Sequence, residues 1–189
     1  MNKIFLLILF IVVKSLYVPL NKRKSTYYWK SRMDDKIKFI PIFVVPYIGY
    51  FLFIIVSIIG LWNSVFIYDF IISYIIAYLI AELFWYFFPN GVKRPDITKG
   101  GMLTKIIAFI YLHDGDTNGF PSGHVFGTLI CCYYFSSAFP SLAIGTWVFG
   151  SLIIASTVLI KQHYLVDILG GFFVFISSLY LGGLLIQYV

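Results

Sequence analysis

Six apolar stretches, each about as long as a helix that crosses a bilayer, divide the 189-residue chain. A spanning helix needs about 20 mostly apolar residues, because each residue adds about 1.5 Å and the hydrocarbon layer is about 30 Å thick. We predict spans at the following stretches: Ile4–Leu20, Phe39–Leu61, Ser64–Phe88, Gly123–Phe139, Ser141–Ile160 and Leu165–Gln187. The sequence therefore predicts an all-α, polytopic membrane bundle of six transmembrane helices.

The composition agrees with this class and argues against a soluble domain. Charged residues make up 12% of the chain and hydrophobic residues 60%, with a mean hydropathy of +0.91. A soluble domain usually has about 25% charged residues. We predict a single integral membrane domain over residues 1–189. Because most basic residues lie in loops between apolar stretches, the net charge of +6 favours membrane lipids over nucleic acid as partners.

Two apolar stretches need separate treatment. Lys14 lies inside the first stretch, and we expect its ammonium to reach the nearer membrane interface. Lys3 before this stretch also suits a signal peptide, although no clear small-residue cleavage site follows. Met102–His113 is too short to span, so we predict a short interfacial helix before the fourth span.

Counting the crossings places three loops on the same membrane face. These loops are residues 21–38, 89–122 and 161–164. Polar residues that are distant in sequence can therefore meet at that face. The residues that we expect to meet there are Lys93, Arg94, Ser122, His124 and His163.

The distribution of basic residues bears on which face this is. The shared face carries twelve of them, and Lys3 lies clearly on the other. Cytoplasmic loops are usually enriched in Lys and Arg, so this count points to the cytoplasm. The twelve are Lys22, Arg23, Lys24, Lys30, Arg32, Lys36, Lys38, Lys93, Arg94, Lys99, Lys105 and Lys161.

A Pro-Ser-Gly-His sequence opens the fourth predicted span. Free backbone N–H groups and the positive end of the dipole make a helix N-terminus attractive to anions. Ser122 adds a hydroxyl, Gly123 lets an anion approach the backbone, and His124 can donate a proton. The same residues also suit an ordinary helix start with a capping serine.

His163 and Asp167 are four residues apart at the start of the last predicted span. That spacing places both on one helical face, where the carboxylate can fix the imidazole tautomer and raise its basicity. A nucleophilic or general-base histidine needs this arrangement. The alternative is a polar interfacial pair that only orients the helix.

Several charged residues could accompany the histidines. Cations beside a phosphoryl group offset the charge that builds in its transition state, which suits Lys93, Arg94 and Lys161. We expect Glu82, inside the third span, to pair with Arg94 or Lys93. A weaker alternative is a metal site, for which the candidate ligands are His113, Asp114 and Asp116.

Taken together, these motifs resemble the type 2 phosphatidic acid phosphatase superfamily. Its three-part signature is matched by Arg94-Pro95, by Pro121 through His124, and by His163 with Asp167. The resemblance covers roughly Phe39–Gly171 and implies a lipid phosphatase without a metal or other cofactor. It implies that His163 attacks phosphorus, Asp167 orients it and His124 acts as acid and base. The implied phosphate-binding residues are Lys93, Arg94, Ser122, Gly123 and Lys161.

Two positions depart from the family pattern. Phe87 stands where the first motif usually has Lys, and Thr157 stands where the third usually has Arg. We expect Lys93 and Lys161 to supply the two missing charges. The departures resemble a family branch that includes inositol phosphorylceramide synthase-like proteins and contains lipid phosphotransferases as well as phosphatases. A lipid phosphotransferase is therefore the main alternative to a phosphatase.

Two less favoured alternatives are a non-enzymatic scaffold with a decayed site and a channel or transporter. The resemblance implies a lipid phosphate substrate, no obligate protein partner, and a site outside the cytoplasm. We favour that face despite the basic residues.

Overall fold

A computed structural model describes residues 2–97 and 100–186, and these residues form eight α-helices. The predicted Gln187 end of the last span and the basic residue Lys99 lie outside the described residues. The helices are α1 Lys3–Ser15, α2 Tyr17–Asn21, α3 Val44–Leu61, α4 Ile67–Phe87, α5 Met102–His113, α6 Gly123–Ala138, α7 Ala143–Leu159 and α8 Leu165–Ile186. Short 3-10 turns at Pro41–Phe43 and Pro140–Leu142 lead into α3 and α7.

Five helical segments in the described part of the chain are long and apolar enough to cross a membrane. They are Lys3–Asn21, Pro41–Leu61, Ile67–Phe87, Pro140–Leu159 and Leu165–Ile186. The prediction of an all-helical integral membrane protein is therefore confirmed. The first segment is interrupted at Leu16, between α1 and α2, and Pro19 has no N–H to donate to the carbonyl one turn earlier.

Helix α6 is shorter than these five segments and lies among other helices. It has 16 residues, nine of which are buried, and it packs against α3, α4, α7 and α8. Small residues allow this close packing. A β-carbon on Gly127 would collide with the ring of Tyr50, and one on Gly150 of α7 would collide with the sulfur of Cys132. A helix enclosed by protein does not need the continuous apolar surface that lipid demands.

The outer surface of the bundle is strongly apolar. Ile144, Leu169 and Leu52 are each more than 60% exposed, although a soluble protein would normally bury such side chains. The interior is rich in aromatic residues, with Phe70, Tyr74 and Trp85 among the largest fully buried side chains. An apolar exterior of this kind requires lipid as its solvent.

Loops from distant parts of the chain pack together at one end of the bundle. The N–H of Gly91 donates to the carbonyl of Tyr27 at 2.8 Å, and the N–H of Val92 donates to the carbonyl of Asp116 at 3.0 Å. The carboxylate of Asp34 accepts from the N–H of Leu165 at 2.8 Å. The three loops that the sequence placed on one face therefore touch one another.

Candidate active site

The start of α6 is fixed by its own cap and by α8. Ser122 accepts a hydrogen bond from the N–H of Val125 through its hydroxyl at 3.4 Å. Its own N–H donates to the carbonyl of Asp167 at 3.1 Å. A β-carbon on Gly171 would collide with Val125, so the glycine lets α8 approach this closely. The backbone thus holds the second and third motifs side by side.

His163 and Asp167 form a buried pair. Nδ1 of His163 lies 3.3 Å from Oδ2 of Asp167, and that oxygen also accepts from the N–H of Tyr164 at 2.8 Å. Asp167 is completely buried, and its other oxygen, Oδ1, has no hydrogen-bond partner within the described residues. When Nδ1–H donates to the carboxylate, Nε2 of His163 carries the free lone pair.

His124 lies close to His163 and is held by aromatic rings. Its ring centroid is 6.1 Å from that of His163. It stacks on Tyr47 at 4.2 Å and contacts Tyr50 at 4.5 Å between ring centroids. Its Nε2 atom is buried and has no hydrogen-bond partner in the described structure. A buried imidazole nitrogen without a partner is available to a bound ligand.

Both histidines line a cavity of about 380 Å³, which we call the inner cavity. Most of its wall is aromatic or apolar, with Tyr47, Tyr50 and Tyr78 among the lining residues. Its polar lining residues include Lys14, Arg94, His113, Gln162 and the loop from Asp114 to Gly119. The cavity combines an apolar wall with a few convergent polar groups, which is typical of a small-ligand site.

Arg94 is held rigidly at this cavity. Its guanidinium donates to the carbonyls of Tyr111, Asp114 and Gly115 and to Oε1 of Gln162, at distances between 2.6 and 3.2 Å. Its Nε atom is buried and has no partner among the described residues, and the same is true of Nε2 of Gln162. Two donors without acceptors therefore accompany the unpartnered nitrogen of His124.

A second cavity of about 310 Å³, the outer cavity, lies on the loop side of the site. Arg94 and His163 line it together with Lys30, Lys93 and Lys161. Lys161 donates to the carbonyls of Asp34 and Ile37 at 3.1 and 2.5 Å. Burial lowers the pKa of Lys161. The two cavities thus share one histidine and one arginine.

The predicted phosphate-binding residues do not all line the same cavity. Arg94 and Gly123 line the inner cavity with both histidines, whereas Lys93 and Lys161 line only the outer one. The ammonium of Lys93 lies 5.4 Å from the ring centroid of Tyr28. Ser122 lines neither cavity, because its fully buried hydroxyl caps α6.

The expected pairing of Glu82 with Arg94 or Lys93 is wrong, and among the described residues no three carboxylates or imidazoles form the alternative metal site at His113, Asp114 and Asp116. Glu82 does not pair with Arg94, whose donors are taken by loop carbonyls and Gln162, and its Oε1 has no partner in the described structure. The carboxylates of Asp114 and Asp116 bind the segment after α1. Asp114 accepts from Tyr17 and Asn21, and Asp116 accepts from Ser25.

Sequence reasoning missed Lys14 and Gln162. Lys14 was expected at the membrane interface, but its side chain lines the inner cavity. Its position inside an apolar stretch was the available signal, because a charge there usually has a function. Gln162 follows Lys161 directly and offered no signal beyond its place next to His163.

The described residues form an apolar helical bundle of the integral membrane class, with two histidines and an arginine around one cavity, and such groups can bind an anion. Comparison with known families narrows this class. Residues 90–188 match the model of the PAP2 superfamily. Because the match covers more than half of the 189 residues, the chain belongs to the PAP2 superfamily. The chain has no significant match among curated proteins or solved structures.

Proposed function

We propose that this protein is a lipid phosphatase that hydrolyses a phosphate monoester or pyrophosphate of a lipid through a phosphohistidine on His163. The observation that carries the proposal is the pair of histidine rings 6.1 Å apart, one of them bonded to a buried carboxylate. When a phosphorus atom lies between two imidazoles, one imidazole can attack it while the other protonates the leaving group. Membership of the PAP2 superfamily supports the same chemistry.

In the first step, Nε2 of His163 attacks the terminal phosphorus, and the bond from that phosphorus to the ester oxygen, or to the bridging oxygen of a pyrophosphate, breaks. His124 gives its proton to that oxygen, so the lipid leaves as an alcohol, or as a monophosphate when the substrate is a pyrophosphate. Asp167 keeps the proton of His163 on Nδ1 and stabilises the positive charge that forms on the ring.

In the second step, the now neutral His124 takes a proton from water as the water attacks the phosphohistidine. The bond between Nε2 of His163 and phosphorus breaks, and inorganic phosphate leaves. His124 is again protonated, and His163 regains its lone pair. One histidine therefore serves as acid and then as base.

Fixed donors hold the phosphate oxygens throughout. In the inner cavity these are Nε of Arg94 and the N–H groups of Gly123 and His124, which belong to the first turn of α6 and have no helical acceptor. Lys93 and Lys161 add positive charge from the outer cavity. With this charge already in place, the reaction we propose requires no metal.

The membrane arrangement that we propose has six spans. Helix α6 is the sixth, enclosed by the others, and α5 lies along the interface because its 12 residues are too few to cross. We assign the loop end, and with it the site, to the non-cytoplasmic face. The apolar outer wall of the bundle offers a route for the lipid tail.

Cysteine accessibility in intact cells tests the assignment of the face. Ser25 is buried against Asp116, so the neighbouring exposed Lys24 is a better position for a cysteine. Lys24→Cys should react with an impermeant maleimide, and Ser141→Cys at the opposite end should not. The reverse pattern places the site in the cytoplasm. Cys131 and Cys132 are buried and give little background.

Phosphate release by the purified protein tests the function. The panel contains phosphatidic acid, phosphatidylglycerol phosphate, an isoprenyl pyrophosphate and a sugar-lipid phosphate. We expect release from at least one lipid, inhibition by vanadate, and activity that survives EDTA. Release that continues at a normal rate in His163→Ala contradicts the proposal.

A phosphotransferase is the second candidate, and the outer cavity favours it. This cavity also reaches His163 and is lined by three lysines, so a second polar substrate has room there. An alcohol would then replace water in the second step. A labelled phosphate or headgroup that appears on a second lipid, and not as free phosphate, would decide for transfer.

A further inference from the structure

Lys14 is a cation inside a candidate membrane span, and its side chain turns into the protein. Its ammonium lies 5.9, 6.0 and 5.9 Å from the ring centroids of Phe10, Phe51 and Tyr78. The side chain lines the inner cavity that contains His124 and His163. The first helix therefore brings a positive charge to a site whose family motifs all lie between Arg94 and Asp167, far along the chain.

The surroundings of Lys14 do not neutralise its charge. Among the residues that the structure describes, no hydrogen bond or ion pair joins its ammonium to a carboxylate or a carbonyl. Aromatic faces attract a cation but replace only part of its hydration. Charged side chains within membrane spans usually face a partner or a functional cavity. The ammonium thus lacks an anion, and the cavity it faces has room for one.

The other cations near the site are already engaged. Lys161 donates to two loop carbonyls, and Lys93 lies against Tyr28; both line only the outer cavity. Arg94 donates to four acceptors and keeps only Nε without one. In the described part of the inner cavity, Lys14 is the cation with its full donor capacity available.

Lys14 and His124 both approach the ring of Phe51 in the lining of the inner cavity. The ring of Phe51 is 5.8 Å from the ring of His124 and 6.0 Å from the ammonium of Lys14. A phosphoryl group held between the two histidines would therefore have Lys14 as its neighbour beyond Phe51. The flexible four-carbon stem of lysine allows the ammonium to close the remaining gap.

We propose that Lys14 is a phosphate-binding residue, whose ammonium bonds an oxygen of the phosphoryl group held between His124 and His163. This inference rests on the proposed function of the same site. Phe87 stands where the family pattern expects a lysine, and helix α1 supplies a cation to this cavity instead. The lysine belongs to a segment that the family match does not include.

The test compares Lys14→Met with Lys3→Met. Lys3 lies on the same helix, but its ammonium donates to the carbonyl of Trp62 at the opposite end of the bundle. We expect Lys14→Met to lower kcat/KM for lipid phosphate about 100- to 1000-fold, and Lys14→Arg to recover much of this loss. Lys3→Met should stay within about twofold of the unchanged protein, because it lies far from the cavity.

Calorimetric titration of the detergent-solubilised protein with vanadate separates this inference from the proposed function, because it requires no turnover. We expect vanadate to bind the unchanged protein and Lys3→Met equally, and Lys14→Met at least about tenfold more weakly. Should Lys14→Met fold poorly, Lys14→Gln keeps a polar end and carries the same expectation.

Equal vanadate affinity in Lys14→Met and the unchanged protein overturns the role of Lys14, whatever the activity. No vanadate binding by the unchanged protein overturns it as well, since the cavity then holds no phosphate-like anion. If vanadate binding depends on Lys14 but no lipid phosphate is hydrolysed, the proposed reaction fails and the assignment of Lys14 stands.

Discussion

The inner and outer cavities share His163 and Arg94 but hold their cations differently. In the outer cavity, Lys161 is tied to the carbonyls of Asp34 and Ile37, and Lys30 pairs with Asp35. In the inner cavity, the ammonium of Lys14 faces aromatic rings. Cations with protein partners stabilise loops, whereas a cation without one is available to a ligand.

The unpartnered polar atoms also differ between the two cavities. The unpartnered buried donors Arg94 Nε, Gln162 Nε2 and His124 Nε2 belong to residues that line the inner cavity. Buried polar atoms normally have hydrogen-bond partners, so several unpartnered donors around one space indicate a missing acceptor. The inner cavity is therefore the better candidate for the reacting phosphate, and the outer cavity for a headgroup, a second substrate or released phosphate.

The largest expected effect comes from His163, which lines both cavities. His163→Gln removes the nucleophile, so we expect phosphate release to fall by about 10⁴-fold or more. His113→Gln is the matched control, because His113 also lines the inner cavity but contacts Phe109, at 2.8 Å from its carbonyl, and has no carboxylate partner among the described residues, so this variant should retain activity within about tenfold. Initial rates on the most active lipid phosphate measure both variants. Comparable losses in the two variants contradict the role of His163.

The second-largest effect is expected at Asp167, the carboxylate that contacts the nucleophile His163. Asp167→Asn keeps the shape but lets the imidazole adopt the wrong tautomer, so we expect kcat to fall by about 10³- to 10⁴-fold. Asp69→Asn is the control, since Asp69 also lies in the first turn of a spanning helix but at the opposite end of the bundle. A rise in KM alone, with kcat unchanged, would show that Asp167 does not orient His163.

The outer lysines should matter less for hydrolysis. We expect Lys93→Met and Lys161→Met each to lower phosphate release by about tenfold or less, because neither reaches the inner cavity. If the protein is a transferase, the same variants should reduce transfer to a second lipid more than hydrolysis. If either variant lost as much activity as Asp167→Asn, the result would indicate that the reacting phosphate lies in the outer cavity.

The smallest expected effect concerns Ser122. Its hydroxyl caps α6, so Ser122→Ala should lower the stability by about 1 kcal/mol, seen as a small decrease in Tm. Ser137→Ala is the control on the same helix, because its exposed hydroxyl bonds only the carbonyl of Tyr133. A loss of activity near 100-fold without a change in Tm would instead favour direct phosphate binding by Ser122.

Local features of the site could be predicted from the sequence. The capping serine before His124 lies where it was predicted. The contact between His163 and Asp167 was also predicted, but His163 precedes α8, which begins at Leu165, so the prediction that both residues share one helical face is wrong. Helix α5 begins and ends at the residues predicted for it, Met102 and His113. The contacts among the three loops at one end of the bundle could be predicted by counting membrane crossings. That count depends only on the number of spans between the motifs.

Features that depend on packing between distant segments could not be predicted. The directions of Lys93 and Lys161 depend on how residues 22–38 fold over the site, and that loop has no periodic pattern. Glu82 offered a plausible partner for Arg94, but the loop carbonyls around Asp114 satisfy the guanidinium instead. Lys14 was misjudged because an almost uniformly apolar helix does not reveal which side faces a cavity.

The most direct test of the central claim is to trap the covalent intermediate. The protein is mixed with a lipid phosphate carrying radioactive phosphorus and quenched in alkali, where phosphohistidine survives. We expect a label on the protein that alkali preserves and acid removes, and no label on His163→Gln. Phosphate release by the unchanged protein without such a label, or an equal label on His163→Gln, would contradict the claim that His163 attacks phosphorus.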